Sequence, residues 1–174
     1  LRCLVGSEMC IRDRPDGVGG SVTNRGLIES AQAELKAAGG NPMALAVNNE
    51  GTIRATAVQN RGGRIFLNSG GGRLVNTGSL IAKKEGGIGG DINIAVGNGR
   101  AEIGGLVDAS GDVEGGSIVM TGSDLNVLAG ARLTVNGGQI GGRISIGKDP
   151  LDPNPDPNAV DSTCLLYTSD AADE

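Results

Sequence analysis

A chain of 174 residues with 15 basic and 20 acidic side chains has a formal charge of −5, which excludes the basic footprint of a nucleic-acid-binding domain. It contains no histidine, so the commonest general base near neutral pH is missing. Its three cysteines, Cys3, Cys10 and Cys164, have neither zinc-site nor disulfide-framework spacing, and no apolar run is long enough to span a bilayer.

The two ends read as foreign to the rest. Glu8-Met9-Cys10-Ile11-Arg12-Asp13 can be encoded GAG ATG TGT ATA AGA GAC, and Cys164-Leu165-Leu166-Tyr167-Thr168-Ser169 can be encoded TGT CTC TTA TAC ACA TCT. The second string is the reverse complement of AGATGTGTATAAGAGACA, which lies within the first string and runs one base into the Arg14 codon. Unrelated protein ends have no reason to be encodable this way, whereas a transposase sequencing adapter translated at both edges of a read does. Residues 1–14 and 164–174 are therefore expected to lie outside the fold. They take with them all three cysteines, the only tyrosine, three arginines and five acids. Residues 15–163 keep 12 basic and 15 acidic side chains, a charge of −3, and one aromatic residue, Phe66.

Gly17 to Ser21 forms a loop that leads to a first strand at Val22, and Asn24-Arg25-Gly26 opens the first coil. Ser30 to Ala38 has helix-favouring residues, yet it aligns with later strands, with Leu35 and Ala37 where Ile65 and Leu67 stand and Gly40 where Gly70 stands. It is predicted to be a strand. Asn41-Pro42 is a turn.

From there one motif recurs: a glycine pair, any residue, then apolar residues two apart. It begins at Gly62, Gly89, Gly115 and Gly141, and its isoleucines Ile65, Ile92, Ile118 and Ile144 are separated by 27, 26 and 26 positions. A second element starts at Gly26, Gly51, Gly78, Gly105 and Gly130. A looser third ends just before each of these, with Leu45 and Val47, Leu74, Ala101 and Ile103, and Leu125 and Val127. Period-two apolar spacing means strands, and a fixed repeat near 26 residues means a solenoid.

Stacking would place Ile28, Ile53, Leu80, Val107 and Leu133 in one interior column and Ser30, Ala55, Ala82, Ala109 and Val135 in a second. The four isoleucines form a third. Large aromatics would crowd so narrow an interior. The glycine pairs are expected to permit positive φ at corners and sharp bends without a Cβ clash, and Asn48, Asn49, Asn60, Asn76 and Asn98 to occupy similar corners. The predicted fold is all-β: a right-handed parallel β-helix of about five coils of roughly 26 residues, over residues 15–147. Residues 148–163, with Pro150, Pro153, Pro155 and Pro157 among Asp and Asn, are predicted to be a loop or linker.

Val47-Asn48-Asn49-Glu50-Gly51-Thr52-Ile53-Arg54-Ala55, Val107-Asp108-Ala109-Ser110-Gly111 and the Gly-Gly-x-Ile-x-Ile strands resemble the filamentous-haemagglutinin family of large exoproteins, over roughly Ser21 to Gly147. The resemblance implies a right-handed β-helix, export through an outer-membrane two-partner secretion transporter, a secreted or cell-surface location, and adhesion to glycans or proteins of host or neighbouring cells. Asn154-Pro155-Asp156-Pro157-Asn158 follows the repeats, so the Asn-Pro motifs of the family's secretion domain are not matched in their usual context.

Chemical motifs are few. Gly86-Gly87-Ile88-Gly89-Gly90-Asp91-Ile92-Asn93-Ile94 approaches a calcium-binding nonapeptide, but Asn93 fills the apolar slot and no tandem copy follows, so a glycine corner is expected. The glycines near Gly17 and Gly97 lack a strand–helix context for phosphate. Asp108, Asp112 and Glu114 lie close together near one corner, where a carboxylate pair could serve glycosidic chemistry. In a glycine-rich turn they are expected to be solvated, with ordinary pKa values. Arg54, Arg64 and Arg143 are expected to point outward from strands and not to clamp an anion. No catalytic, cofactor or metal residue is assigned. The expected function is structural or adhesive, and the alternative is a fragment of a carbohydrate-active β-helix enzyme, a polysaccharide lyase or glycoside hydrolase.

Overall fold

Each repeat folds into a triplet of short strands, because alternating apolar residues can bury one face only when neighbouring repeats stack. A computed structural model describes residues 8–12, 20–37, 44–57, 61–147 and 163–166, the first and last as backbone strands. In chain order, strand β1 (Glu8–Arg12) is followed by the first triplet, β2 (Val22–Asn24), β3 (Leu27–Ser30) and β4 (Gln32–Ala37). The second is β5 (Leu45–Asn49), β6 (Thr52–Ala55) and β7 (Arg64–Ser69), and the third is β8 (Arg73–Asn76), β9 (Ser79–Ile81) and β10 (Asp91–Val96). The fourth is β11 (Arg100–Ile103), β12 (Leu106–Asp108) and β13 (Ser117–Thr121), and the fifth is β14 (Asp124–Val127), β15 (Arg132–Thr134) and β16 (Arg143–Ile146), before a last strand, β17 (Thr163–Leu166).

Equivalent strands pair in parallel to make three sheets: β1-β4-β7-β10-β13-β16 (sheet A), β2-β5-β8-β11-β14-β17 (sheet B) and β3-β6-β9-β12-β15 (sheet C). There is no helix among the described residues. The chain is a parallel β-solenoid, as the periodicity predicts. Four coil-to-coil steps join the five triplets, so it makes about four turns, slightly fewer than the five coils expected.

The register confirms two interior columns. Ile28, Ile53, Leu80, Val107 and Leu133 pair successively, as do Ile65, Ile92, Ile118 and Ile144. Ile53, Ile65, Leu80, Val107 and Ile118 are fully buried, and each such aliphatic contributes about 1.5–3 kcal/mol by leaving water. Ala55, Ala82 and Ala109 are buried too. Phe66 lies in register with Asn93 and Glu34 on the half-buried outer face of sheet A, outside the narrow interior.

Three expectations are corrected. Ile144 heads its column but is 41% exposed, because no coil covers the last rung among the described residues. Residues 32–37 are a strand, but Ala33 pairs with Ile65 and Leu35 with Leu67, two residues from the expected alignment. A slip of two keeps every side chain on its face, which is why the burial pattern survives it. Leu45, expected inside, is 40% exposed: the ladder shifts between Leu45 and Val47, turning Ala46 inward and Leu45 outward against Arg73.

The glycine pairs avoid a Cβ clash as expected, but not through positive φ. Gly90 and Gly116 have no positive φ; a Cβ on Gly116 would lie 1.9 Å from the carbonyl oxygen of Gly90, and one on Gly90 would lie 2.1 Å from that of Gly63. Their role is close backbone approach between coils. Positive φ is found elsewhere, for example at Gly105 and Gly130, just before β12 and β15.

The ends expected to lie outside the fold each contribute a strand: β1 pairs with β4 and β17 with β14. An open parallel edge presents unpaired N–H and C=O groups, and any extended segment within reach can satisfy them. Of residues 148–163 only Thr163 is described. Asn41-Pro42, Gly17, Gly40 and Asn60 also lie outside the described residues.

Candidate functional site

The strongest candidate for chemistry in the sequence was the acidic corner. Asp108 ends β12, and its Oδ1 accepts the Ser110 N–H at 2.9 Å. Burial works against its ionisation, but the Ser110 hydroxyl and N–H, the Thr134 hydroxyl and the Lys83 charge outweigh it and hold the carboxyl below the usual range. The expected ordinary pKa is thus corrected for Asp108, because the turn aims donors at it. Ser110 Oγ also accepts the Asn136 N–H at 3.0 Å, tying this turn to the next coil.

Asp112 is exposed and caps a different turn, accepting the Gly86 N–H at 2.7 Å from the coil below. Glu114 pairs through its backbone with Ile88 and Ile140 and lines a shallow recess of about 300 Å³ with Arg61, Ser117 and Arg143. The three acids are spread along the connection from β12 to β13, Asp108 at the strand end, Asp112 at a bend and Glu114 in a β-bridge, and among the described residues no group of three Asp, Glu, Cys or His is placed to hold a metal ion.

The nonapeptide-like stretch is a structural corner. Gly86 has φ 66°, and Asp91, its one carboxylate, accepts hydrogen bonds from Arg61 at 3.0 Å and from Ser117 Oγ at 2.7 Å. Gly97 lies at an exposed bend after β10. Arg54 points outward and pairs with Glu29 at 2.9 Å, while Arg64 is exposed and Arg143 half-buried.

Two ordered features were not foreseen. The first is a buried asparagine ladder. Asn24 Nδ2 donates to Asn49 Oδ1 at 2.8 Å, Asn49 Nδ2 donates to Asn76 Oδ1 at 2.7 Å, and Asn76 Nδ2 ends the series on the Gly104 carbonyl at 2.9 Å. Asn49 and Asn76 are fully buried, so these are interior rungs and not open corners. Their spacing of 25 and 27 residues matches the repeat and was a usable signal. Ile103 takes the next position in register, and there the series stops.

The second is charge pairing between coils. Arg25 meets Glu50 at 3.0 Å, and Arg100 meets Asp124 at 2.6 Å. Arg73 pairs with Glu102. Asn48 first, then Arg25, hold the Glu50 carboxyl below its ordinary range. Arg73, Arg100, Glu102 and Asp124 line a surface groove of about 420 Å³ with Asn98 and Ser123. Its two cations and two anions are mutually paired, so the groove presents balanced charge and no lone acid or base.

No protein-family model, curated protein or solved structure matches the chain.

Proposed function

We propose that this chain is a structural and adhesive β-solenoid segment of a large secreted or cell-surface exoprotein of the filamentous-haemagglutinin type. On this reading it is exported through an outer-membrane two-partner secretion transporter and presents its surface to glycans or proteins of host or neighbouring cells. The observation that carries the reading is the regular pairing of surface charge between coils. Arg25–Glu50, Glu29–Arg54, Arg61–Asp91, Arg73–Glu102 and Arg100–Asp124 all join one coil to another, as suits a shaft. Individually such exposed pairs contribute little; together they make a uniform outer wall.

The competing reading is a polysaccharide lyase or glycoside hydrolase fragment. It would draw on Asp108, Asp112 and Glu114, of which Asp108 and Asp112 accept N–H groups from different turns, and Asp108 is kept ionised by its donors. A carboxyl so held makes a poor general acid at neutral pH.

Purified chain would be applied to immobilised glycans and to intact cells, and assayed in parallel on polyuronates beside an Asp108→Asn, Asp112→Asn double variant. Saturable binding that the double variant retains supports the structural reading. Turnover that the double variant loses replaces it with the enzyme.

A further inference from the structure

We infer that the groove on the outer face of sheet B is a binding site for an uncharged glycan, held by hydrogen bonds to paired charges that the ligand leaves intact. This deepens the adhesive reading, on which it rests, by naming one location and one class of ligand.

Three coils build the groove. Arg73 opens β8, Arg100 opens β11 and Asp124 opens β14, so they stack at one position of successive coils. Asn98 lies on the bend before β11, and Ser123 stands just before β14. The space they enclose, about 420 Å³, falls within the roughly 300–1,000 Å³ of small-ligand sites. Stability of the shaft does not call for this arrangement. Arg73 and Arg100 are direct register partners, and like charges so placed disfavour the sheet. One coil earlier the same position holds Leu45. Each arginine is offset by an acid of the next coil, Arg73 by Glu102 and Arg100 by Asp124.

These pairs leave hydrogen-bonding capacity on both sides. Arg73 donates Nε to Glu102 Oε1 at 3.0 Å and Nη2 to the other oxygen, while Arg100 donates Nε to Asp124 Oδ2 at 2.6 Å. Among the described residues nothing accepts from Arg73 Nη1 or from either Nη of Arg100, and nothing donates to Asp124 Oδ1. Ser123 Oγ donates to the Gly97 carbonyl at 3.0 Å and keeps its lone pairs, and the exposed Asn98 amide has no partner among the described residues. Donors and acceptors thus surround one cavity, which suits hydroxyl groups, since each can donate and accept. The arginine methylene stems can cover the C–H face of a sugar ring. An anionic ligand would have to draw Arg73 away from Glu102, whose side chain is only 18% exposed, and strand that carboxylate. A cationic ligand would meet two arginines. An uncharged glycan breaks neither pair.

The test uses the full 174-residue chain. Saturation-transfer NMR is run against uncharged oligosaccharides of glucose, galactose, mannose and N-acetylglucosamine, and against uronate and sulfated oligosaccharides as anionic probes. At least one uncharged probe should bind, with a dissociation constant that changes less than about twofold between about 50 and 500 mM NaCl. Arg100→Gln with Asp124→Asn keeps shape and net charge but removes one pair, and should weaken binding about tenfold or more. Because that variant could also unfold, Asn98→Ala provides a second arm. It should leave the melting temperature unchanged and weaken binding severalfold. A parent chain that binds no uncharged probe overturns the proposal, as does binding confined to anionic probes or steeply lost with salt. Binding that both variants retain in full overturns it too. Attachment to intact cells, measured in parallel, reads the adhesive function separately: cells bound equally by parent and groove variants leave adhesion standing and remove the groove from it.

Discussion

Asn24 and Asn49 lie one coil apart, with the side-chain amide of the first donating to the side-chain oxygen of the second at 2.8 Å inside the solenoid. Asn49 in turn donates to Asn76, so it is the middle rung. Replacing Asn49 with alanine strands a donor on Asn24 and an acceptor on Asn76. Replacing Asn24 strands the acceptor on Asn49 and frees the Gly26 N–H, which donates to Asn24 Oδ1 at 3.1 Å but lies at an exposed residue where water can replace it. Each unsatisfied buried group costs about 1–3 kcal/mol. Asn49→Ala is therefore expected to lose roughly 2–5 kcal/mol and Asn24→Ala about half as much. Urea unfolding of the two variants beside the parent checks the order. Equal losses would mean that the ladder does not act as a connected series.

The isoleucine column gives a second ranking. Ile92 is 1% exposed between Ile65 and Ile118, so an aspartate there would be a buried charge with no partner. Ile92→Asp is expected to cost several kcal/mol and to prevent cooperative folding at ordinary temperature. Ile144→Asp in the same column, at 41% exposure, is expected to cost far less. Thermal melts at low concentration distinguish them, and comparable losses would place the register in error.

These columns also show what was legible in the sequence. Apolar side chains recurring at the repeat length announced Ile53, Ile65, Leu80, Ile92 and Val107 as interior residues, because in-register stacking leaves like over like. What escaped was what period and polarity cannot encode. The bulge at Ala46 depends on how the chain re-enters sheet B, and the two-residue slip of Leu35 preserves the same alternation. Asn49 and Asn76 look like corner residues because asparagine is usually exposed; burial is tolerable because Asn49 has an asparagine on each side and Asn76 has Asn49 on one side and the Gly104 carbonyl on the other. Nor could the acidic corner be judged from spacing, since Asp108 and Asp112 are four positions apart yet accept N–H groups from different turns, Ser110 and Gly86.

Glycine offers a third prediction. A methyl group on Gly116 would meet the Gly90 carbonyl oxygen at 1.9 Å, and neither backbone can give way without opening the coil-to-coil spacing. At Gly26 the same addition meets nothing within 4 Å and the φ is ordinary. Gly116→Ala is expected to destabilise by more than about 2 kcal/mol, as other overpacked sites do. Gly26→Ala should be neutral or slightly stabilising through the unfolded chain. Denaturant midpoints of the pair separate close approach from backbone freedom as the reason for glycine.

Asp108 sets an acid limb on stability. Burial disfavours its charge, but hydrogen bonds from Ser110 and Thr134, with the charge of Lys83, leave its folded pKa below the ordinary value. The sign follows from linkage. A carboxyl with a depressed folded pKa contributes stability that is fully present above its unfolded pKa of about 3.9 and is lost as pH falls through the folded value. The side chain is half-buried and still reached by water, so the contribution is partly screened and modest. The melting temperature of the parent should hold from neutral pH to about 5 and then decline as pH drops below about 4. Asp108→Asn removes the titrating group, so it should start lower at neutral pH and decline less steeply in acid, the two curves converging once pH has fallen through the folded pKa of Asp108. Asp112→Asn, at an exposed cap on another turn, serves as the control for carboxyl removal at this corner. Melts of the three proteins by circular dichroism between pH 2 and 7 read the outcome directly. If Asp108→Asn keeps the full acid decline of the parent, the hydrogen bonds from Ser110 and Thr134 do not favour the ionised form, and Asp108 returns to contention as a protonated acid for glycosidic chemistry.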